Sequence, residues 1–255
     1  MPDMRLNPWL RLFRVVNLPT VPGDVLVGAS VLLAGITRSG TCTTAVVSSL
    51  APVWWAAAAS IFLYVFGLVD NDIVGAKVDR DRPIPDGEIS ISAARVARFL
   101  CLLAAAGAAA AGGLPLLWRC AAGVLVAVVA VYNRTKWSAL MGVCRGVNVL
   151  CGALAIVVGN WRGVPGDGRL FVLLPVVAWT IYIWIVTKYS EGEETDPVRR
   201  SRVGTLIGGI LLLQIVAICA CVAVNRNLWP LLAVGISLLV IHKVILRLLP
   251  RVSAS

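Results

Sequence analysis

Residues 50–87 read LAPVWWAAAASIFLYVFGLVDNDIVGAKVDRDRPIPDG. The first twenty, residues 50–69, carry no charge. About 20 apolar residues is the length of helix that crosses the hydrocarbon of a bilayer. The character then changes at once. Asp70, Asp72, Asp79, Asp81, Asp86 and Glu88 follow within nineteen residues, interleaved with Lys77, Arg80 and Arg82. An uncharged span running straight into a mixed-charge window describes a membrane helix that ends in a polar site at one surface.

The same apolar texture extends over the whole chain. Of its 255 residues, 59% are hydrophobic and 14% charged, and the mean hydropathy is +0.87. Soluble domains average about 45–50% apolar and about 25% charged. A disordered chain, a soluble globular enzyme and a disulfide scaffold are thereby excluded. Eight apolar segments are predicted, at about 18–36, 50–69, 91–112, 114–132, 139–159, 170–187, 203–224 and 228–249. Their lengths suit helices, and the period-two alternation of a membrane barrel is absent. Gly113, between Gly112 and Pro115, leaves room only for a tight helical hairpin. The expected architecture is all-α: one polytopic bundle over residues 1–255.

An even number of spans puts both termini on one side. Five basic residues, Arg38, Arg119, Arg162, Arg169 and Arg226, fall on one face of the membrane and the other 18 of the 23 on the opposite face. The positive-inside rule makes the richer face cytoplasmic; in a bacterium the membrane would be the inner one. The net charge of +10 then follows topology and calls for no nucleic acid. Membrane lipid and an anionic ligand are the partners it suggests. Residues 1–14 read as an interfacial segment, capped by Asn7, with Leu6, Trp9, Leu10 and Phe13 toward lipid and Arg11 and Arg14 toward water. Trp118, Trp137, Trp161 and Trp229 read with Trp9 as an interfacial belt. Seven cysteines show no ligand spacing, and His242 is the only histidine. A histidine-based metal site and a Ser-His-Asp triad are excluded by count, and His242 is expected at the interface.

Ten of the 13 acids lie in two windows on the predicted cytoplasmic side, the loops 70–90 and 188–202. In the first, helix is expected to continue to about residue 80. Asp72 and Asp79, seven apart, and Asn71 and Asp79, eight apart, then share a face. Such a face presents oxygen ligands to Mg²⁺, and Lys77, Arg80 and Arg82 offer donors to phosphate oxygens. Pro83 and Pro85 stop the helix. The second window, with Lys188, Glu191, Glu193, Glu194 and Asp196, follows the sixth span as the first follows the second. Two carboxylate clusters across a pocket suit Mg²⁺ ions on a diphosphate. Solvated loops whose charges pair with one another fit the same residues. A third segment holds Tyr132, Asn133 and Lys136, then Arg145 and Asn148 about two turns into the fifth span. An arginine and an asparagine on one face of a membrane helix point to the bundle interior. Gly142, Gly146 and Gly152 beside them permit close helix packing.

Together these motifs resemble the UbiA superfamily of intramembrane prenyltransferases. Its first Asp-rich motif, N-D-x-x-D-x-x-x-D followed by R-P-I-P-S-G, is matched at Asn71, Asp72, Asp79, Arg82, Pro83, Ile84, Pro85 and Gly87, with Gly75 where the central Asp is expected and Asp86 in place of Ser. Residues 132–152 are similar to its Y-N…K…M-G…R-G…N…G pattern. Asn17, Pro19 and Gly23 are similar to its first helix. The second Asp-rich motif is represented by Glu191, Glu193, Glu194 and Asp196. The resemblance implies a bundle of nine spans where eight apolar segments are found. It also implies transfer of an isoprenyl group from an isoprenyl diphosphate to an aromatic or other lipophilic acceptor. Mg²⁺ would be held by Asn71, Asp72, Asp79, Glu191 and Glu194. Asp72, Asp79, Arg82, Lys136 and Arg145 would carry the catalysis. Asn17, Asn71, Tyr132, Asn148 and Lys188 would hold substrate, with Tyr132 or Tyr182 shielding an allylic cation. A non-catalytic relative, or a transporter binding isoprenoid lipids, is the alternative. A transporter more often places acids or broken helices at the bilayer midplane.

Overall fold

The computed structural model describes residues 7–38, 50–76, 82–157, 166–191 and 196–248; the side chains of 166–169, 197, 200 and 201 lie outside that description. Nine α-helices are found among the described residues. A short α1 (Pro8–Leu12) precedes α2 (Thr20–Arg38), α3 (Ala51–Gly75), α4 (Ile91–Ala111), α5 (Leu116–Thr135) and α6 (Ser138–Ala155). Then come α7 (Gly166–Ser190), α8 (Pro197–Val224) and α9 (Trp229–Leu248), with one 3₁₀ turn at Arg226–Leu228. The eight from α2 to α9 are each long and apolar enough to cross a membrane.

Burial runs opposite to that of a soluble protein. The flanks of the bundle expose Phe99, Leu100 and Leu103 on α4, and Leu170, Leu174, Val177, Ile181 and Ile185 on α7. Asn17, Asp24, Ser60, Asp70, Asp72, Asn133, Arg145, Asn148 and Gln214 are buried. Apolar side chains cost nothing in lipid, whereas polar ones must be turned inward and partnered.

The innermost helix is α2, packed against α3, α6, α7 and α8. Its approach to α6 depends on missing side chains: a Cβ on Gly28 would overlap the Val149 carbonyl, and one on Gly152 would overlap the Val25 carbonyl. On the other flank of α6, a Cβ on Gly142 would overlap the Thr180 carbonyl and one on Gly146 the Thr180 hydroxyl. Small residues let helix backbones touch, which in lipid replaces the hydrophobic drive that water would supply. The α4–α5 hairpin closes at Gly113, with φ +57°.

Several expectations are corrected. Helix α1 spans five residues, and Trp9 and Phe13 turn inward. They pack on a small core of Leu12, Val65, Val69, Ile84, Ile89 and Ala94. Arg11 bonds Glu88 at 2.8 Å rather than reaching for headgroups. The amphipathic segment finds a protein partner because the turn after α3 offers apolar Ile84 and Ile89 together with acids. Helix α3 ends at Gly75 rather than near residue 80, with Ala76 as its cap. Asp70–Gly75 are helical, as the expected continuation of the helix requires; Lys188–Ser190, assigned to a loop, end α7 and 197–202 begin α8. Helix outlasts the apolar stretch wherever its polar side chains find partners. His242 is 2% exposed, its Nδ1 donating to the Val16 carbonyl at 2.9 Å. Trp118, read as part of the belt, is 3% exposed. Trp137 and Trp229 are exposed as expected. The six described cysteines are free thiols.

Candidate functional site

The last turns of α3 carry three consecutive polar residues, all buried: Asp70, Asn71 and Asp72. Successive helical residues are about 100° apart, so the three point in three directions. Each meets a different element. Asp70 accepts from Arg98 of α4 at 2.7 Å and from Asn133 of α5 at 2.8 Å. Asn71 accepts through Oδ1 from the Lys136 ammonium. Asp72 accepts from Arg82, in the turn after α3, at 2.8 Å.

Local structure explains how these partners arrive. Lys136 caps α5 in the left-handed region, at φ +54°, and its N–H bonds the Tyr132 carbonyl. That conformation is unusual for a residue with a Cβ, and here it folds the side chain back toward α3. Arg82 opens a compact turn closed by Asp86 N–H to Arg82 O, Gly87 N–H to Ile84 O and Ile89 N–H to Pro83 O, all at 3.0 Å. Buried Ile84 and Ile89 anchor that turn beneath α1. Arg82 is thus held on a tied-down turn. Tyr132 lies within electrostatic reach of Arg14, Arg82 and Glu191, so the end of α7 lies at the same end of the bundle, the mouth of the site. Lys188 lies on that rim in an exposed ion pair with Glu191 at 2.7 Å. Arg199 stacks over Tyr189 and donates to the Glu191 carbonyl.

Deeper in the bundle lies a second network, centred on Asp24 of α2. Arg145 of α6 grips its carboxylate with Nε at 2.8 Å and a terminal nitrogen at 3.0 Å, and also bonds the Thr20 hydroxyl and carbonyl. Asn148 and Gln214 donate to the same carboxylate, at 3.1 and 2.7 Å. The Ser60 hydroxyl donates to Asn148. Tyr64 lies within reach of Arg14 and Arg145 and contacts the Asn17 side chain, linking this network to the mouth. The guanidinium of Arg145 is therefore matched to an internal carboxylate. Its interior position was expected from the sequence, but its partner was not.

The site is thus a buried, cation-lined polar cluster on a lipid-flanked helical bundle. The sequence model of the UbiA prenyltransferase family matches residues 28–255. The chain belongs to that family. It is a prenyltransferase and, with eight apolar spanning helices, a multi-pass membrane protein. A digeranylgeranylglyceryl phosphate synthase from Methanoculleus marisnigri is 27% identical over 233 residues, covering 89% of this chain and 78% of that protein. The fold is shared with a UbiA homologue from Archaeoglobus fulgidus bound to GPP and Mg²⁺, at a TM-score of 0.53 and 16% identity over 92% of this chain and 86% of that one. It is shared also with a solved digeranylgeranylglyceryl phosphate synthase, at a TM-score of 0.51 and 14% identity over 98% and 97% of the two chains.

In this UbiA-family chain the sequence motifs fall into two groups. Asn71, Asp72, Arg82, Tyr132 and Lys136 gather at the mouth, with Glu191 and Lys188 on its rim. Arg145 and Asn148 meet Asp24 deeper in the bundle, with Asn17, in the turn before α2, joining the groups. Asp79 and Glu194 lie outside the described residues, as does Glu193. Asn71 and Asp72 carry hard oxygen donors of the kind Mg²⁺ prefers. Among the described residues no group of three or more His, Cys, Asp or Glu gathers. Sequence reasoning missed Asp24, Gln214, Arg98 and the partnered state of Asp70. The signal for two of them was visible: Asp24 is the only acid in the first apolar segment, and Gln214 the only strongly polar side chain between 206 and 224.

Proposed function

We propose that this protein transfers the isoprenyl group of an isoprenyl diphosphate to a lipophilic acceptor inside the membrane, with the diphosphate held by Mg²⁺ at the cytoplasmic mouth. The observation that carries the reading is the pairing of Asn71 with Lys136 and of Asp72 with Arg82 at the buried end of α3. Two oxygen donors and two cations are held ready by one another, where a diphosphate with its metal would exchange partners with both. Relatives of this fold have been solved with GPP or DMAPP and Mg²⁺, which favours the same ligand class here.

The chemistry follows from charge. When the allylic C–O bond breaks, its electron pair stays on the diphosphate oxygen. Asn71 and Asp72, together with Asp79, Glu191 and Glu194, would hold Mg²⁺, which would supply positive charge against that leaving group. Arg82 and Lys136 donate to the remaining phosphate oxygens. Charges fixed in advance within a low-dielectric site cost no reorganisation as the bond breaks. The Tyr132 ring lies at the same mouth and shields the allylic cation. The lipid-embedded walls keep water away until an electron-rich acceptor forms the new C–C or C–O bond and loses its proton. We place Asn17 and Asn148 along the inner wall and Lys188 at the rim as substrate contacts. Arg145 acts from the Asp24 network by fixing α2 against α6. A glyceryl phosphate lipid belongs in the acceptor panel because a relative carries that product in its name.

The test is diphosphate release and product mass from protein in lipid nanodiscs. Isoprenyl diphosphates of several lengths are offered, with MgCl₂ or with EDTA. Release should require Mg²⁺ and should vanish in Asp72→Asn. Undiminished turnover in that variant would overturn the proposal. Diphosphate binding without turnover by any donor and acceptor pair would favour a non-catalytic relative.

A further inference from the structure

Asp70 is the first acid of the Asp70-Asn71-Asp72 triplet, and its surroundings differ from those of its neighbours. Both of its oxygens are taken, Oδ1 by Arg98 at 2.7 Å and Oδ2 by Asn133 at 2.8 Å. The same Asn133 nitrogen also donates to the Gly67 carbonyl, one turn back on α3. The Asp70 side chain is 5% exposed and that of Arg98 36%. Residues two apart on a helix do not face each other. Asp70 therefore points away from the side on which Asp72 meets Arg82.

We propose that Arg98 is a positioning residue for the diphosphate site: through Asp70 it sets the rotation of the last turns of α3, and so the direction in which Asn71 and Asp72 point. The inference rests on the diphosphate-binding reading above. Apolar packing of Val69, Ile73 and Ala76 on the core beneath α1 seats the end of α3 without fixing the direction of its polar side chains. The helix stops at Gly75, three residues after Asp72. Arg82 and Lys136 hold the site side of the turn, but they are the groups that must turn to the ligand. A polar hold that persists through the reaction has to come from the back of the helix, and Arg98 with Asn133 supplies it from two separate helices. Arg98 lies about two turns inside α4, and Asp70 roughly a turn and a half from the end of α3, so the pair meets beneath the surface. Asp70 is in this view no metal ligand but the handle by which the ligand-bearing turn is gripped.

The experiment measures the affinity of nanodisc-embedded protein for inorganic diphosphate with Mg²⁺ by calorimetry, beside its thermal midpoint and the donor KM and kcat. Arg98→Ala and Asp70→Asn should each weaken diphosphate binding by about 10- to 100-fold, the range typical of losing a group that orients metal-binding residues. The double variant should be no weaker than the weaker single one, because the two act as one unit. Arg98→Gln keeps a donor for Asp70 without the charge and should fall between wild type and alanine; it covers the case in which Arg98→Ala does not fold. Asn225→Ala, which removes a hydrogen bond to Thr37 at the opposite end of the bundle, should lower the thermal midpoint without changing diphosphate affinity. Wild-type affinity in Arg98→Ala or Arg98→Gln, additive losses in the double variant, or an equal loss in Asn225→Ala would each overturn the inference. Wild-type protein that binds magnesium diphosphate but transfers nothing would overturn the proposed transfer, while the role of Arg98 would stand. Wild-type protein that does not bind it would overturn both.

Discussion

Asp24 and Arg145 are 121 positions apart in the chain and 2.8 Å apart in the bundle. Taking either charge into the membrane interior alone is expensive, and each is there because the other is. Removing one partner strands the other. Arg145→Ala should therefore destabilise the protein by about 3–5 kcal/mol. Asp24→Leu with Arg145→Met should cost less, because no buried charge is left over. Denaturant unfolding in detergent micelles would check both values, and a double variant less stable than Arg145→Ala would contradict this account. Lys136 poses a different trade. Its left-handed backbone suits glycine, so Lys136→Gly should change stability little while removing the cation beside Asn71. Donor KM should rise by at least about tenfold, the equivalent of one lost charged hydrogen bond of roughly 1.5–3 kcal/mol. An unchanged KM would take Lys136 out of the diphosphate site.

Helix α6 touches α2 and α7 through glycines, and this is where packing has least slack. Gly152→Ala pushes a methyl group into the Val25 carbonyl. Overpacking of that kind costs typically about 1–3 kcal/mol. Gly107, on the lipid-facing helix α4, has nothing within 4 Å of the position a Cβ would take. Gly107→Ala should raise stability by up to about 1 kcal/mol through helix propensity. Thermal midpoints of the two variants should move in opposite directions, and a shared direction would refute the distinction. Both glycines look alike in sequence, because each is one small residue in an apolar helix. A near neighbour in space separates them, and no periodicity reports it. The spans themselves were legible for the opposite reason. A helix satisfies its own backbone, so its existence depends on local composition alone. The exact ends were less legible. Helix α3 stops at Gly75 and α7 runs on to Ser190, and both ends depend on side-chain partners from other helices.

Across the whole molecule, charge asymmetry sets the orientation expected for the eight spans. Cysteine placed at Glu88, in a cysteine-free background, should react with a membrane-impermeant maleimide only after cells are permeabilised. Cysteine placed at Arg226 should react in intact cells. Reversed labelling would put the mouth on the other side of the membrane and overturn a cytoplasmic diphosphate site. Composition, span lengths, the side on which the acids gather and the interior position of Arg145 and Asn148 were all open to the sequence, because each follows from local hydropathy and spacing. Which acid serves which cation was not. Asp70, Asp72 and Asp24 read alike as letters, and the bundle gives them three different partners, Arg98, Arg82 and Arg145. Of these cations only Arg82 is near in the chain; the others arrive from helices 28 and 121 residues away. A buried charge is defined by the partner that neutralises it, and helix packing chooses that partner.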